Sequence, residues 1–241
     1  ALVGHLYLCG GNEARQSVAA VERFALAQRR WEACPPMLQR RSAAVGCSAG
    51  GCLYVCGGRD GRDCLASVER FSLRGNCWET LSPMAVKRAY AVGARIRHRF
   101  YACGGLDYTE HLNSAVRLDL ASGNWEDLPP MQVKRGSSAG TAFNGHVYVC
   151  GGQDAAKQLN TVERFSEEAG AWEVMPELKE ARTLAVASAV GGRLLVLGGF
   201  NGRLHLQTAE TYNEDWSRWE TLVETMPVAR FSAAAVVMEY L

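Results

Sequence analysis

The stretch Cys52-Leu53-Tyr54-Val55-Cys56-Gly57-Gly58 decides the fold, because its parts return at one fixed interval. Paired glycines recur at Gly10-Gly11, Gly104-Gly105, Gly151-Gly152 and Gly198-Gly199, each step being 47 residues. A tryptophan stands 21 residues after the first glycine of every pair, at Trp31, Trp78, Trp125, Trp172 and Trp219. Phe24, Phe71, Leu118, Phe165 and Tyr212 keep the same step. Three series in one register define a repeat. A period of roughly 40–50 residues is that of a four-stranded propeller blade.

The second cycle shows how one unit reads. Residues 42–49 are small and apolar, and a Gly50-Gly51 turn leads to the strand Cys52–Cys56. The diglycine opens a polar loop, residues 59–65. A third strand follows at residues 67–71, and a fourth at residues 77–81 after the turn Arg74-Gly75-Asn76. Short strands separated by turn residues every ~8–12 positions belong to sandwiches or propellers, and the fixed period selects the propeller. The expectation is an all-β domain over residues 1–241 with five four-stranded blades. Small inner-strand runs such as Ala91-Val92-Gly93-Ala94 suit the crowded axis, and Val-Glu-Arg-Phe runs alternate as a strand with one wet face should. Trp125 is expected to be largely buried between blades, and Trp216, outside the series, to be exposed. The chain opens on a second-type strand, His5–Cys9, and ends on a first-type strand, residues 231–238. Closure of the last blade from both ends would remove a free sheet edge. The alternative is a six-bladed ring lacking one blade.

Lys and Arg number 26 against 25 Asp and Glu, a formal net charge of +1. That balance argues against a general affinity for nucleic acid or anionic membrane, which needs a basic excess. No apolar run approaches the ~18 residues of a membrane span, so no direct insertion is expected. Nine cysteines are present. Cys9, Cys56, Cys103 and Cys150 fall at one repeat position, too far apart for disulfides, which need Cα atoms within about 7 Å. They read as small buried hydrophobes in a reducing, intracellular compartment, most simply the cytoplasm. Cys47 and Cys52 flank a tight turn and could face one another across it.

The diglycine, the spaced aromatic, the tryptophan and the Pro-Met-x-x-x-Arg link (Pro83-Met84 to Arg88, Pro130-Met131 to Arg135) resemble the repeat motif of the Kelch family. The likeness covers nearly the whole chain. It departs at Val116, where other cycles carry glutamate, and at the fifth link, which has one extra residue before Arg230. The resemblance implies a non-catalytic module that binds a protein or peptide, serving as a scaffold or substrate-recognition adaptor.

Strand parity places the loops between second and third strands on one face with the blade links. These loops are the longer and more varied set, and binding resides in such loops on rigid scaffolds. The face carries Arg15, Arg40, Arg41, Arg59, Arg62, Lys87, Arg88, Lys134, Arg135, Lys157, Arg182, Arg203 and Arg230. Its acids are Glu13, Asp60, Asp63, Asp107, Glu110, Asp154, Glu177 and Glu180. The excess of bases points to an acidic peptide or protein patch. In Kelch adaptors the residues after the link arginine and after the diglycine contact the peptide. The resemblance therefore adds Ser42, Tyr90, Ser137, Ser232, Arg59 and Phe200 to Arg41, Arg88, Arg135, Arg182, Arg203 and Arg230 as partner-binding candidates. A structural alternative stands beside this: the arginine series could pair with third-strand glutamates such as Glu69 and Glu163. Two other functions are open, a structural subunit docked in a larger complex and a Kelch-like enzyme of the copper-oxidase or sugar-mutarotase kind. The five histidines fall in different turns and loops, and no nucleophile elbow or phosphate loop occurs. No cofactor or metal is expected.

Overall fold

A computed structural model describes residues 4–235. Its elements are strands, turns and loops, with no helix among the described residues. They form five blades. Blade II runs Val45–Ala49, Cys52–Cys56, Val68–Ser72 and Cys77–Leu81 from the axis outward. Blades III, IV and V repeat that order, beginning at Val92–Ile96, Ala139–Phe143 and Val186–Val190. Blade I contributes three strands, His5–Cys9, Val21–Ala25 and Arg30–Cys34. Its expected inner strand falls in residues 231–238. The stretch 231–235 carries no strand pairing, and residues 236–241 lie outside those described.

The second strands of blades II, III and IV are runs of largely apolar residues because both their faces are covered. Val147, Val149 and Cys150 are fully buried. The cross-strand pair Phe71 and Trp78 holds ring centroids 5.2 Å apart, and Phe165–Trp172 and Tyr212–Trp219 repeat it at 5.4 and 5.3 Å. Each of four tryptophans also ties its blade to the one before. Trp78 donates its indole N–H to Pro35 O (2.8 Å), Trp125 to Ser82 O (2.9 Å), Trp172 to Pro129 O (2.7 Å) and Trp219 to Pro176 O (3.0 Å). Trp125, expected to be largely buried, is only half-buried, whereas Trp78 and Trp219 make the same bond and are enclosed. Trp216 is exposed at 70%.

Gly57 shows why the diglycine is needed. Its φ is +63°, and a Cβ there would lie 2.3 Å from Arg88 O. No other residue type fits that approach.

At the axis, Ala43, Tyr90, Ser137, Leu184 and Ser232 share one repeat position and one left-handed conformation, φ 51–54°. The N–H of Tyr90 donates to Ala43 O, Ser137 to Tyr90 O, Leu184 to Ser137 O and Ser232 to Leu184 O, all at 2.8–3.0 Å. This girdle stitches successive inner strands together.

The strongest ties between blades are buried. Arg41, Arg135 and Arg182 are enclosed, with Glu69, Glu163 and Glu210 beside them. Arg135 donates Nη1 to Gly151 O (2.9 Å) and Thr161 O (2.8 Å), and Nη2 to Thr161 Oγ1 and Glu163 Oε1 (both 2.9 Å). Glu163 also accepts the Gln132 N–H (2.7 Å) and the Val133 N–H (3.2 Å). One ion pair thus joins the link to the blade it enters. In blade III the glutamate position is Val116, so Arg88 reaches only Gly104 O, Ser114 O and Ser114 Oγ; its Nε, like that of Arg135, has no acceptor among the described residues. Burial pulls the Arg88 guanidinium pKa down.

The nine cysteines are free thiols. Cys52 pairs with Ala49 and Cys47 with Tyr54, so the turn does not bring Cys47 and Cys52 face to face. Burial pushes the thiols of Cys9, Cys47, Cys103 and Cys150 up to about 12. The thiolate is the reactive form. Alkylation at neutral pH should therefore mark exposed Cys77 first and leave Cys103 and Cys150 unmodified until the protein unfolds, as peptide mass spectrometry would record.

Removing one partner of a buried ion pair strands the other charge. Arg135→Met should cost about 3–5 kcal/mol. Arg88→Met should cost less, since no carboxylate is left behind. Val116→Glu should raise the melting temperature by supplying the missing partner, and denaturation of the three variants would reveal a wrong assignment if Val116→Glu were the most damaging.

Candidate interaction face

The links and the second-to-third-strand loops share one face, as isolated bridges between them show: Ser42 with Arg59, Ala89 with Leu106, Gly136 with Gln153 and Thr183 with Phe200. Four loops are built on one plan. Asp60 Oδ1 accepts the N–H groups of Arg62 and Asp63, both at 2.8 Å. Asp107 receives Thr109 (2.9 Å) and Glu110 (3.0 Å), Asp154 receives Ala156 (2.7 Å) and Lys157 (2.8 Å), and Asn201 receives Arg203 and Leu204 (both 2.9 Å). Asp and Asn make this turn because a short side chain reaches the amides two and three residues on. The blade I loop is tighter, a hairpin of Asn12–Glu13 and Gln16–Ser17 with Ala14 and Arg15 at positive φ.

The plan fixes the backbone and leaves the tips free to differ. They present Arg62 in blade II, Tyr108 in blade III at 66% exposure, Lys157 in blade IV, and Arg203 with Leu204 in blade V, the leucine 67% exposed. Tyr108 and Leu204 escaped the sequence reading, which weighed charge; the 47-residue register places both at loop tips and was the signal available.

The structure corrects the arginine series. Arg41, Arg88, Arg135 and Arg182 are 0–1% exposed and bonded inward, so their side chains cannot meet a partner. Ser42 is buried too, its Oγ 2.9 Å from Ser17 Oγ. Ser42 in fact precedes the girdle position by one residue, whereas Tyr90, Ser137 and Ser232 occupy it. Those three stand at the mouth of the axis, the first two half-buried and Ser232 exposed. Arg59 is half-buried, its backbone bridged to Ser42 and Cys64. Phe200 packs 5.3 Å from His205, which stacks on Phe231 at 4.2 Å with rings 3° apart. Arg203 and Arg230 are exposed.

The electrostatic picture changes accordingly. Without the four buried arginines, nine bases face eight acids. Lys134 is also paired with Glu110. The surviving excess is local: Arg40, Arg59, Arg62 and Lys87 surround blade II against Asp60 and Asp63, and Arg203 and Arg230 stand in blade V.

On the opposite face, a cavity of about 520 Å³ lies between blades III and IV, lined by His98, Arg99, His146 and Glu167 among others. Arg99 pairs with Glu167 at 2.6 Å, and His146 Nδ1 meets Asn144 O at 2.8 Å. No group of three or more His, Cys, Asp or Glu among the described residues is arranged to hold a metal ion. No helix among them is long and apolar enough to cross a membrane.

The family model for the KLHDC2/KLHL20/DRC7 Kelch-repeats domain matches residues 1–177, and that for the Kelch motif matches residues 181–224. The chain belongs to the Kelch-repeat family. Among solved structures, that of YjhT is similar in fold, with a TM-score of 0.80 at 14% identity over 92% of this chain and 82% of that one. No curated protein matches. Kelch propellers are commonly protein-interaction modules and generally non-catalytic.

Hydrogen bonds from Asp63 and Arg62 amides hold the Asp60 carboxyl below its ordinary 3.8; Glu110 and Thr109 do the same for Asp107, and Ala156 and Lys157 for Asp154. A depressed carboxyl contributes stability that is present above the unfolded pKa and lost as pH falls through the folded one. The three Asp-built loop tips should therefore loosen below pH 3.8 while the Asn201 loop does not, a contrast that amide NMR shifts across an acid titration would expose.

Proposed function

We propose that this Kelch propeller recognises an acidic segment of another protein on its long-loop face, centred on the blade II sector. The carrying observation is the shared loop frame: one backbone plan, fixed by the aspartate and asparagine turns, displays a different set of side chains in each blade. Such pre-ordered loops lose little entropy on binding. Arg40, Arg59, Arg62 and Lys87 supply the charge for an acidic ligand. Tyr108 and Leu204 supply apolar contact, and Tyr90, Ser137 and Ser232 the floor at the axis. Phe200, Arg203 and Arg230 extend the surface into blade V. This is the role of a substrate-recognition or scaffold domain rather than of an enzyme.

A second reading, a subunit held in a larger assembly, draws support from apolar side chains exposed away from the loops, Leu8 at 48% and Trp31 at 49%.

Affinity purification with mass spectrometry tests the first reading. Partners captured by the wild-type protein should dissociate as salt rises. Arg59→Glu should weaken them by roughly tenfold, about 1.4 kcal/mol, with the melting temperature unchanged. Retention of every partner by both Arg59→Glu and Arg62→Glu would move the site off this face.

A further inference from the structure

The face opposite the long loops is built from the turns that join first to second and third to fourth strands, and its unpaired charge is divided. Arg29 of blade I, Arg74 of blade II and Arg97 of blade III are exposed and pair with no carboxylate among the described residues. Glu168 of blade IV and Asp215 of blade V are exposed and pair with no cation among them. Charges of the other sign in each half are offset locally. Asp119 accepts the amides of Ala121 and Ser122 and lies 3.5 Å from His98 Nε2. Arg218 pairs with Glu220 at 2.8 Å, and Arg193 lies in a cleft with Glu214, Asp215 and Glu220. The boundary between the halves runs through the cavity of about 520 Å³, with Arg97 on its blade III wall and Glu168 on its blade IV wall.

The repeat sets the two halves in register. Arg74 and Asp215 stand at one repeat position, three periods apart. Residues 73–76 and 214–217 form the same turn, with Asn76 and Ser217 at φ 50° and 45°. Arg74 and Asp215 therefore sit at the same radius and height, in blades equally far on either side of the cavity. A two-fold axis through that cavity, in the plane of the face, exchanges blade II with blade V and blade III with blade IV. Two copies related by it bring Arg74 of each against Asp215 of the other. The same operation sets Trp216, 70% exposed, over Gly75, where the absence of a side chain leaves room for the indole beside the Arg74 guanidinium. It sets Val190, 47% exposed, over Ala49. The walls of the cavity are exchanged as well, so that Arg97 of each copy faces the wall bearing Glu168 of the other.

We infer that this face is an interface between two copies of this chain, related by that two-fold axis. A two-fold contact needs a patch complementary to itself. Here a base and an acid occupy one repeat position in the two blades that the axis exchanges, so the molecule supplies both halves of the match. A partner of one charge sign would satisfy one half and be repelled by the other. Trp216 gives the contact an apolar anchor, tryptophan being enriched where interfaces hold most strongly. The exposed ion pairs set its register more than its strength. With these faces joined, the two long-loop faces point away from each other, and one dimer displays both. The inference does not depend on what those loops bind.

Sedimentation equilibrium of the 241-residue protein at low salt tests it. The average mass should rise from that of the monomer toward twice that value as concentration increases, and fall back as salt screens the pairs. Arg74→Asp and Asp215→Arg should each weaken the dimer by roughly tenfold or more, because like charges then face each other twice. The double change should restore it. Trp216, read as the difference from Trp216→Phe, should lose accessibility to acrylamide as the wild-type protein is concentrated. In a Cys77→Ser background, Arg74→Cys with Asp215→Cys should give a disulfide-linked dimer on mild oxidation, while either change alone stays monomeric. Blades II and V are too far apart to bridge within one chain. The inference is overturned if the wild-type protein stays monomeric up to about 1 mM, or if it dimerises with Trp216 as accessible as before. It is overturned too if the dimer survives both single reversals, or if the double change fails to restore what each removes. The substituted positions lie in or beside exposed turns, so melting temperatures should not change. Should a reversal unfold the protein, the protection of Trp216 in the wild-type chain decides.

Discussion

Everything above the single blade depends on an arginine that the chain buries between blades. A four-stranded antiparallel sheet of five-residue strands is marginal alone, with both faces apolar and nothing to fix the angle to its neighbour. The link arginine removes that freedom. Its guanidinium has five donors in a rigid plane, and at Arg182 these reach two backbone carbonyls, a threonine hydroxyl and two glutamates, the buried partner being Glu210. Because the acceptors belong to the second and third strands of the next blade, the bonds set the distance and twist between consecutive blades. The buried glutamate also takes two amides of the incoming link, so the carboxylate is satisfied on every side. That is the condition under which a buried ion pair can be tolerated.

The rigidity reaches the surface through short connections. Each enclosed arginine lies one or two residues from the girdle and the bridge that abut the long loops. The loops inherit a fixed base, and the Asx turns at Asp60, Asp107, Asp154 and Asn201 fix their tips. Variation is confined to the side chains that point outward. Arg62, Tyr108, Lys157 and Leu204 can differ without moving the backbone, which is how a repeat with one structure acquires a composite surface. The enclosure has a second effect. Enclosing four arginines confines the excess of bases on that face to two local sectors.

The axis shows the same logic in the backbone. Five residues of unlike chemistry, Ala43, Tyr90, Ser137, Leu184 and Ser232, hold a left-handed conformation that side chains disfavour. A single such residue would be a local oddity. Four successive amide bonds from one to the next explain why the conformation is kept, and the strain is offset by linking inner strands that share no ladder of their own.

The sequence by itself determined the repeat, its period, the strand order within a unit and the family, because each rests on residues whose physical role is local: a diglycine that must reach positive φ, a run of five apolar residues, an aromatic across from a tryptophan. It also placed the loops on the correct face, since strand parity is a matter of counting. What it left open was the use of each charged side chain. Arg41 and Arg40 are adjacent and alike in sequence, yet one is enclosed and the other lies in water, because only the packing of the next blade decides which of them meets a carboxylate. The same holds for Glu22 and Glu163, one repeat position with opposite fates, and for Trp31 and Trp219. Those differences arise from how each blade packs against the next, a property of the assembled fold that no single unit encodes.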